Sequence, residues 1–550
     1  MTEQLGITYS LEVLWIVVIN KIWMLSTRIN AKKFFRILSK DNNVFTTIVT
    51  SSFFLLGLFG ILNHSMWRDE LNVWLIARDS SSLLELFQNI KYEGHPALWY
   101  LCLYFLNQFT SNPVAMQFLH LLIATISTFI FTKYSPFTQL QKLLFSFGYL
   151  PFYEYLVISR NYAIGLLLVF AFCALYPSRT KSYLWLALIL FLLANSNAYC
   201  LFISIAFGGT LIVEYSLGTK INPSLAARKT NIISSLAIFI LGIISSLLQL
   251  IPPADSTLQG GMSRWILEFN LKHLAVVLTR IWNSYIVILI PGNSSYVEGL
   301  IFAILSLWLF VFIATLLIKK PIAFLLYIFG TLEILLFTYV KFLGAARHFG
   351  HLYILLIAAL WIADYYPESN LLVGLFFNLP SGLKKIFLIW AKFVKKYKTV
   401  FIMVILYAQL AGGIVAFSRD LLIPYSASRE AAKFIKNQQL EQMFIVGSRD
   451  ANVSPICGYL NRKIYYPERQ GIGSFVLFNS QRKDVDSTTV LEQVSQIIKQ
   501  KPSDILLILN NELKISRADL SVSLLAKFTK SFIGNEKYYL YRVNSAIKDK

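Results

Sequence analysis

The chain has 550 residues, 56% of them hydrophobic and only 14% charged, with 50 Lys and Arg against 29 Asp and Glu for a formal net charge of +21. A soluble protein is about one-quarter charged, so this composition excludes an ordinary globular enzyme and points to a membrane protein. The basic excess does not argue for nucleic acid, because much of it sits in short clusters between apolar stretches, where the cytoplasmic flanks of membrane helices collect Lys and Arg.

In chain order, residues 1–43 read as a cytoplasmic N-terminal segment. The stretch 11–25 is apolar but interrupted by Asn20 and Lys21. No small-residue cleavage site precedes the basic run Lys32, Lys33, Arg36, so no cleavable signal peptide is expected. A spanning helix needs about 20 mostly apolar residues. That criterion predicts eleven spans, at 44–62, 113–131, 140–158, 162–177, 183–199, 200–217, 231–251, 298–318, 321–340, 349–366 and 399–418. Two further stretches, 96–112 and 274–290, are short or punctuated by polar residues and read as extra spans or interfacial helices.

The positive-inside rule arbitrates. Basic residues mark 32–40, Lys133 with Lys142, Arg179 with Lys181, and Lys220 with Arg228 and Lys229. They also mark Lys319 with Lys320, and the six lysines from Lys384 to Lys398. If all these clusters are cytoplasmic, the eleven spans alternate consistently and both doubtful stretches stay outside. Then 63–112, 252–297, 341–348 and everything after 418 face outward. Twelve or thirteen spans would cost at least one cluster its expected side.

The organisation is therefore a multi-span domain over 44–418, with its first outer loop at 63–112, and a different unit over 419–550. In the latter the apolar runs shorten to strand length, at 443–447, 463–466, 475–478, 504–509 and 538–543. Helical patterns at 428–437 and 488–501 lie between them, the second behind Asp486 and Ser487 as caps. Such alternation predicts a small α/β domain. It lacks a glycine-rich phosphate loop, so it reads as a lid or recognition unit. The four cysteines make no disulfide framework: Cys102, Cys173 and Cys200 sit in apolar runs and Cys457 is alone in the soluble part.

The first outer loop carries the most chemistry. Asp69 and Glu70 follow the first span directly, and Leu71, Trp74 and Arg78 continue a helical stripe. A second short helix has Ser82 and Glu85 as a capping box and Leu83, Phe87 and Ile90 as its apolar face. Both helices are expected to lie on the membrane surface. Paired acids at the mouth of a membrane cavity can supply a general base or hold a divalent cation against a substrate phosphate. The plain structural alternative is that Asp69 caps the helix and both acids are solvated.

Arg160, in Ser159-Arg160-Asn161-Tyr162, interrupts two apolar runs. It must pair or reach the surface, where its planar fork suits a phosphate; a headgroup anchor is the plainer reading. Arg347 and His348 lie in a positive cluster, from Lys341 to His351, on the side where positive charge is not favoured by default. That placement asks for an anionic partner. His348 and His351 are spaced to share a helix face, but no third ligand lies nearby and no metal site is assigned. Arg264, Trp265, Arg280 and Trp282 in 252–297 describe an interfacial belt and receive no chemical role.

Together, Asp69-Glu70, the sequence His95-Pro96-Ala97-Leu98-Trp99-Tyr100 closing the first loop, and Ser159-Arg160-Asn161-Tyr162 resemble the GT-C superfamily of membrane glycosyltransferases. The likeness is to the branch holding protein O-mannosyltransferases, aminoarabinose transferases and rhizobial lipid A core glycosyltransferases. Motifs support it over 44–220, architecture alone beyond. The family usually has two prolines after the histidine, and the second is Ala97 here.

The resemblance implies a polytopic α-helical membrane protein with an extracytoplasmic α/β domain, a polyprenyl-phosphate-linked sugar donor and an acceptor arriving from the outer side. Asp69 matches the family's acidic base and Glu70 its partner, which binds donor phosphate or a metal. Arg160 matches a basic residue near the lipid phosphate, and His95 and Tyr162 fall in the matched motifs as substrate-binding positions. Arg347 and His348 join the phosphate site on their charge and placement. A divalent cation is an option the sequence does not require. The acceptor, whether lipid, polysaccharide or protein, is left open, and a bacterial plasma membrane is expected. The rival readings are a transporter or flippase for a lipid-linked glycan, which would use the basic cavity without a base, and a structural assembly factor.

Overall fold

The computed structural model describes residues 41–217, 229–257, 265–287, 296–374 and 380–546. The expectations for 1–40, for the basic residues Lys220 and Arg228, and for Arg264 lie outside the described residues. Among the described residues, nine helices are long and apolar enough to cross a membrane: Asn42–Asn63, Val114–Tyr134, Tyr162–Thr180, Ala198–Leu217, Asn231–Leu250, Val297–Leu317, Pro321–Val340, Ala346–Asp364 and Ser381–Leu422. The chain is thus a polytopic α-helical membrane protein with a C-terminal sheet domain.

Two of the eleven expected spans take other forms. The stretch 140–158 is a short helix, Gln139–Ser146, followed by a π-helical segment, Tyr149–Val157. The break falls at Gly148, a poor helix former, where the long helix Ser381–Leu422 presses its own glycines onto the chain. A Cβ on Gly413 would stand 2.9 Å from the Phe147 carbonyl oxygen and 3.0 Å from the Tyr149 nitrogen. Both neighbours are backbone and cannot swing aside. Gly413→Ala is therefore expected to lower stability by about 1–3 kcal/mol, read as an earlier thermal transition in detergent.

The stretch 183–199 shortens to Leu184–Ala194. At 1.5 Å per residue that helix reaches about 16 Å, roughly half the hydrocarbon thickness of about 30 Å. Asn195 ends it, its amide donating to the Phe191 and Gly242 carbonyls at 2.8 and 3.2 Å.

The doubtful stretches are resolved as well. Residues 96–112 hold a ten-residue helix, Leu98–Asn107. Residues 288–290 lie outside the described residues, and those of 274–290 up to 285 belong to the helix Leu271–Tyr285. Its last residue is fully buried, and the Tyr285 hydroxyl stands 3.0 Å from that of Tyr327 within the bundle.

The helices of the first loop are Arg68–Asp79 and Leu83–Ile90. Ser82 caps the second as expected, accepting from the Glu85 nitrogen at 3.2 Å, but the Glu85 carboxylate turns to Ser81. The first is enclosed by protein on both sides. Leu71, Trp74, Leu75 and Ile76 are fully buried, because the helix is held between Leu98–Asn107 of the membrane domain and Asp450–Leu460 of the C-terminal domain.

That domain is a six-stranded sheet, with β1 Phe444–Gly447, β2 Ile464–Tyr466, β3 Gly471–Gly473, β4 Ile505–Leu509, β5 Leu520–Phe528 and β6 Tyr538–Ser545, in the order β3-β2-β1-β4-β6-β5. β1 runs parallel to β2 and β4, and β6 antiparallel to β4 and β5. β4 is buried along its whole length. One layer of core holds Ser428–Asn437, Asp450–Leu460 and Leu75 of the first loop; the other holds Ser487–Gln500. The expected strand at 475–478 is instead irregular chain. Its Val476 nitrogen donates to Asn72 Oδ1 at 2.9 Å rather than to a strand.

Candidate active site

The link from the first span to the first loop helix is His64-Ser65-Met66-Trp67. Trp67 precedes the helix, and its carbonyl accepts from the Glu70 and Leu71 nitrogens. Glu70 is fully buried. Its Oε2 accepts from the Trp67 nitrogen at 3.2 Å and pairs with His64 Nε2 at 2.9 Å, while Oε1 accepts from the Ser159 nitrogen at 2.6 Å. The other ring nitrogen of His64 pairs with Asp420 Oδ2 at 2.7 Å, near the end of the long helix. Burial works against a charge on His64, but Asp420 and then Glu70 outweigh it and hold its pKa at about 10. Glu70 therefore binds three parts of the chain together and does not line the cavity.

Successive residues of a helix point about 100° apart, so Asp69 faces elsewhere. It opens into a cavity of about 930 Å³, together with Arg68, His95, Arg160, Tyr162, Arg347 and His348. Asp69 Oδ2 stands 3.0 Å from Arg347 Nη2 and 3.7 Å from Arg160 Nη1, and Oδ1 lies 3.7 Å from Arg68 Nε. Burial would raise the Asp69 pKa, but Arg160, Arg347 and Arg68 together hold it below the usual carboxylate value.

Arg160 also donates from Nη1 to the Asp69 carbonyl and lies, through Nη2, 3.2 Å from His95 Nε2. The turn carrying it is fixed by His120, whose ring nitrogens stand 2.9 Å from the Leu156 and Arg160 carbonyls. Arg347 sits in a one-turn helix, Ala346–Phe349, with its guanidinium 5.2 Å from the Trp67 ring.

Burial first, then Arg160, pushes the His95 ring down to about 3, so it is neutral and accepts from the arginine. Glu93, in the same wall, is pushed up to about 7 by burial in spite of Arg160; it accepts from Asn72 at 3.1 Å and Tyr100 at 3.3 Å. His348 Nδ1 accepts from the Ala345 nitrogen at 2.8 Å, and Tyr162 packs edge-on against its ring at 5.7 Å.

Of the residues singled out from sequence, six converge on one cavity and Glu70 does not. The solvated-cap alternative for Asp69 and Glu70 also fails, since one acid is buried in a network and the other is ringed by arginines. His351 turns away, its Nδ1 2.8 Å from the His348 carbonyl, and among the described residues no group of three His, Cys, Asp or Glu is placed to hold a metal. With Glu70 committed and Asp69 facing three guanidiniums, the groups present suit an anion and not a divalent cation.

Sequence reading missed Arg68, although it adjoins Asp69. It also missed His64 and Asp420, which are 356 residues apart and carry no local signal of pairing. Lys341 lines the cavity too, its ammonium 4.6 Å from the Trp265 ring.

No family model and no curated protein sequence matches the chain. Among solved structures, the chain is similar to the crystal structure of ArnT from Cupriavidus metallidurans bound to undecaprenyl phosphate, at 10% identity and a TM-score of 0.49 over 90% of this chain and 97% of that one. It is similar also to ArnT from Cupriavidus metallidurans in the apo state, at 11% identity and a TM-score of 0.48 over the same shares of the two chains.

Proposed function

We propose that this protein is a membrane glycosyltransferase of the GT-C type. It takes a sugar from a polyprenyl-phosphate donor and transfers it, with inversion, to an acceptor at the outer face of a bacterial plasma membrane. The observation that carries the reading is one carboxylate, Asp69, set among Arg68, Arg160 and Arg347 in a cavity that also has an apolar wall, including Phe202, Leu247, Leu250 and Phe337. That wall suits a lipid tail, and the arginines suit the phosphate at its head.

The acceptor oxygen attacks the anomeric carbon as the carbon–oxygen bond to phosphate breaks, and that bond's electron pair leaves with the phosphate. Asp69 receives the acceptor's proton. The departing polyprenyl phosphate is stabilised by Arg160 and Arg347, donors already aimed into the cavity, an effect worth several kcal/mol of barrier where it has been measured. Before the donor arrives these arginines are held by Asp69. The phosphate takes their hydrogen bonds over and frees the carboxylate to act as base.

The test is transfer of radiolabelled sugar from a panel of polyprenyl-phosphate donors to a membrane acceptor extract, with purified protein in nanodiscs. Donor binding without transfer would favour a transporter. Arg347→Ala is expected to weaken polyprenyl phosphate binding roughly 10- to 100-fold, since hydrogen bonds to charged groups contribute about 1.5–3 kcal/mol; competition with labelled lipid phosphate measures it.

A further inference from the structure

Part of the cavity wall comes from the C-terminal domain, through Arg449, Asn452, Glu468, Phe478, Arg482 and Asp484. The transfer step described above uses none of them. Glu468, in the turn after β2, is 3% exposed. Its Oε1 accepts from Ser448 Oγ at 2.9 Å and from the Arg449 nitrogen at 2.6 Å, whereas Oε2 is buried with no hydrogen-bond partner among the described residues. Leaving such an oxygen unsatisfied is unfavourable, and a ligand bearing O–H groups would satisfy it.

Two neighbours complete a surface. Arg449 holds a φ of 59°, uncommon for a residue with a side chain, and is exposed at the cavity. Arg482 is already committed, to Asp450 and Asp484 at 2.9 Å each. Phe478 is half-buried, and its carbonyl accepts from the Thr257 nitrogen at 2.7 Å. With Val476 bound to Asn72, this wall is anchored to the membrane domain.

We propose that the wall is the acceptor subsite and that it takes a saccharide: Glu468 Oε2 accepts a sugar hydroxyl, Phe478 covers an apolar ring face, and Arg449 donates to another hydroxyl or an anionic substituent. A sugar acceptor gives up one hydroxyl to the attack and keeps others for these contacts, which matches a carboxylate, an aromatic ring and a guanidinium on one wall. The proposal rests on the glycosyltransferase reading and names its acceptor class.

The experiment uses the full chain in nanodiscs with octyl glycosides as the saccharide probe and a Ser/Thr-containing peptide as the rival. Equilibrium binding is measured without donor, alongside undecaprenyl phosphate binding. Wild type is expected to bind a glycoside and not the peptide, and Glu468→Gln to weaken that binding at least tenfold. Arg449→Gly is expected to do likewise, and glycine accepts a positive φ without strain, so misfolding would not explain its loss. Lipid phosphate binding should stay within twofold in both variants. Unchanged glycoside affinity in both, loss of lipid phosphate binding instead, or binding of the peptide alone would overturn the subsite. Because binding is read without turnover, absence of transfer by wild type would count against the glycosyltransferase reading separately.

Discussion

Replacing Asp69 by Asn is expected to lower sugar transfer by about 10²- to 10⁴-fold, the range that a positioned general base contributes, while the donor binds at least as well as to wild type. Asn keeps the size of the side chain but cannot take a proton from the acceptor. It also removes the negative charge that holds Arg347 at 3.0 Å and Arg160 at 3.7 Å, so both guanidiniums are free for a phosphate. The combination of lost turnover and retained or tighter donor binding is what separates a base from a residue that organises the site. If transfer survives in the variant, Asp69 is no base, and if donor binding collapses it is a structural support. The same arginines set the pH behaviour of the free enzyme. A carboxyl held below its usual value stays ionised as pH falls, so the acidic limb of kcat/KM should lie below about 3.9, the ordinary aspartate value.

Replacing His64 by Leu is expected to cost about 3–5 kcal/mol of stability, because it removes one partner from a buried charged network and leaves the others uncompensated. Glu70 would lose its 2.9 Å contact and Asp420 its 2.7 Å contact, both in buried surroundings. The pH dependence identifies the cause. Burial opposes the charge on this ring, but Asp420 and Glu70 raise its pKa to about 10, against roughly 6.5 in an unfolded chain. A raised pKa contributes stability that is complete below about 6.5 and is lost as pH climbs through about 10. The gap in thermal transition between wild type and His64→Leu should therefore be widest near pH 6 and close toward pH 10. A gap that does not change with pH would show that His64 acts by packing alone.

Asp69 and Glu70 show how far adjacent residues in a sequence can part in function. Read along the chain they form a carboxylate pair at the mouth of a cavity. In the structure one faces the arginines and the other fastens the loop to Ser159, Trp67 and His64. Which of two neighbouring acids faces a cavity depends on which side of their helix is packed. That was decided from both sides of the helix: Leu75 joins the core of the C-terminal domain, while Leu71 and Trp74 join the core of the membrane domain. The covering of this helix by Asp450–Leu460 was not legible locally, because that partner lies far along the chain.

The amino-acid sequence by itself determined that this is a multi-span membrane protein with an α/β domain after its last span, because spans need only length and apolar composition, and strands and helices differ in local period. It also marked Asp69, Arg160, Arg347 and His348, since charge and imidazole beside apolar runs must find partners, and it offered His95 and Tyr162 only through the resemblance of their motifs. Tertiary structure alone decided that these six share one cavity, bringing Arg160 and Arg347 to Asp69 across 91 and 278 residues. It decided too that 140–158 breaks at Gly148 and that 183–199 is a short helix, where packing against neighbours overrides apolar composition. The pairing of His64 with Asp420 belongs to the same class: electrostatic partners are chosen by distance in space, and no local pattern of residues encodes that distance.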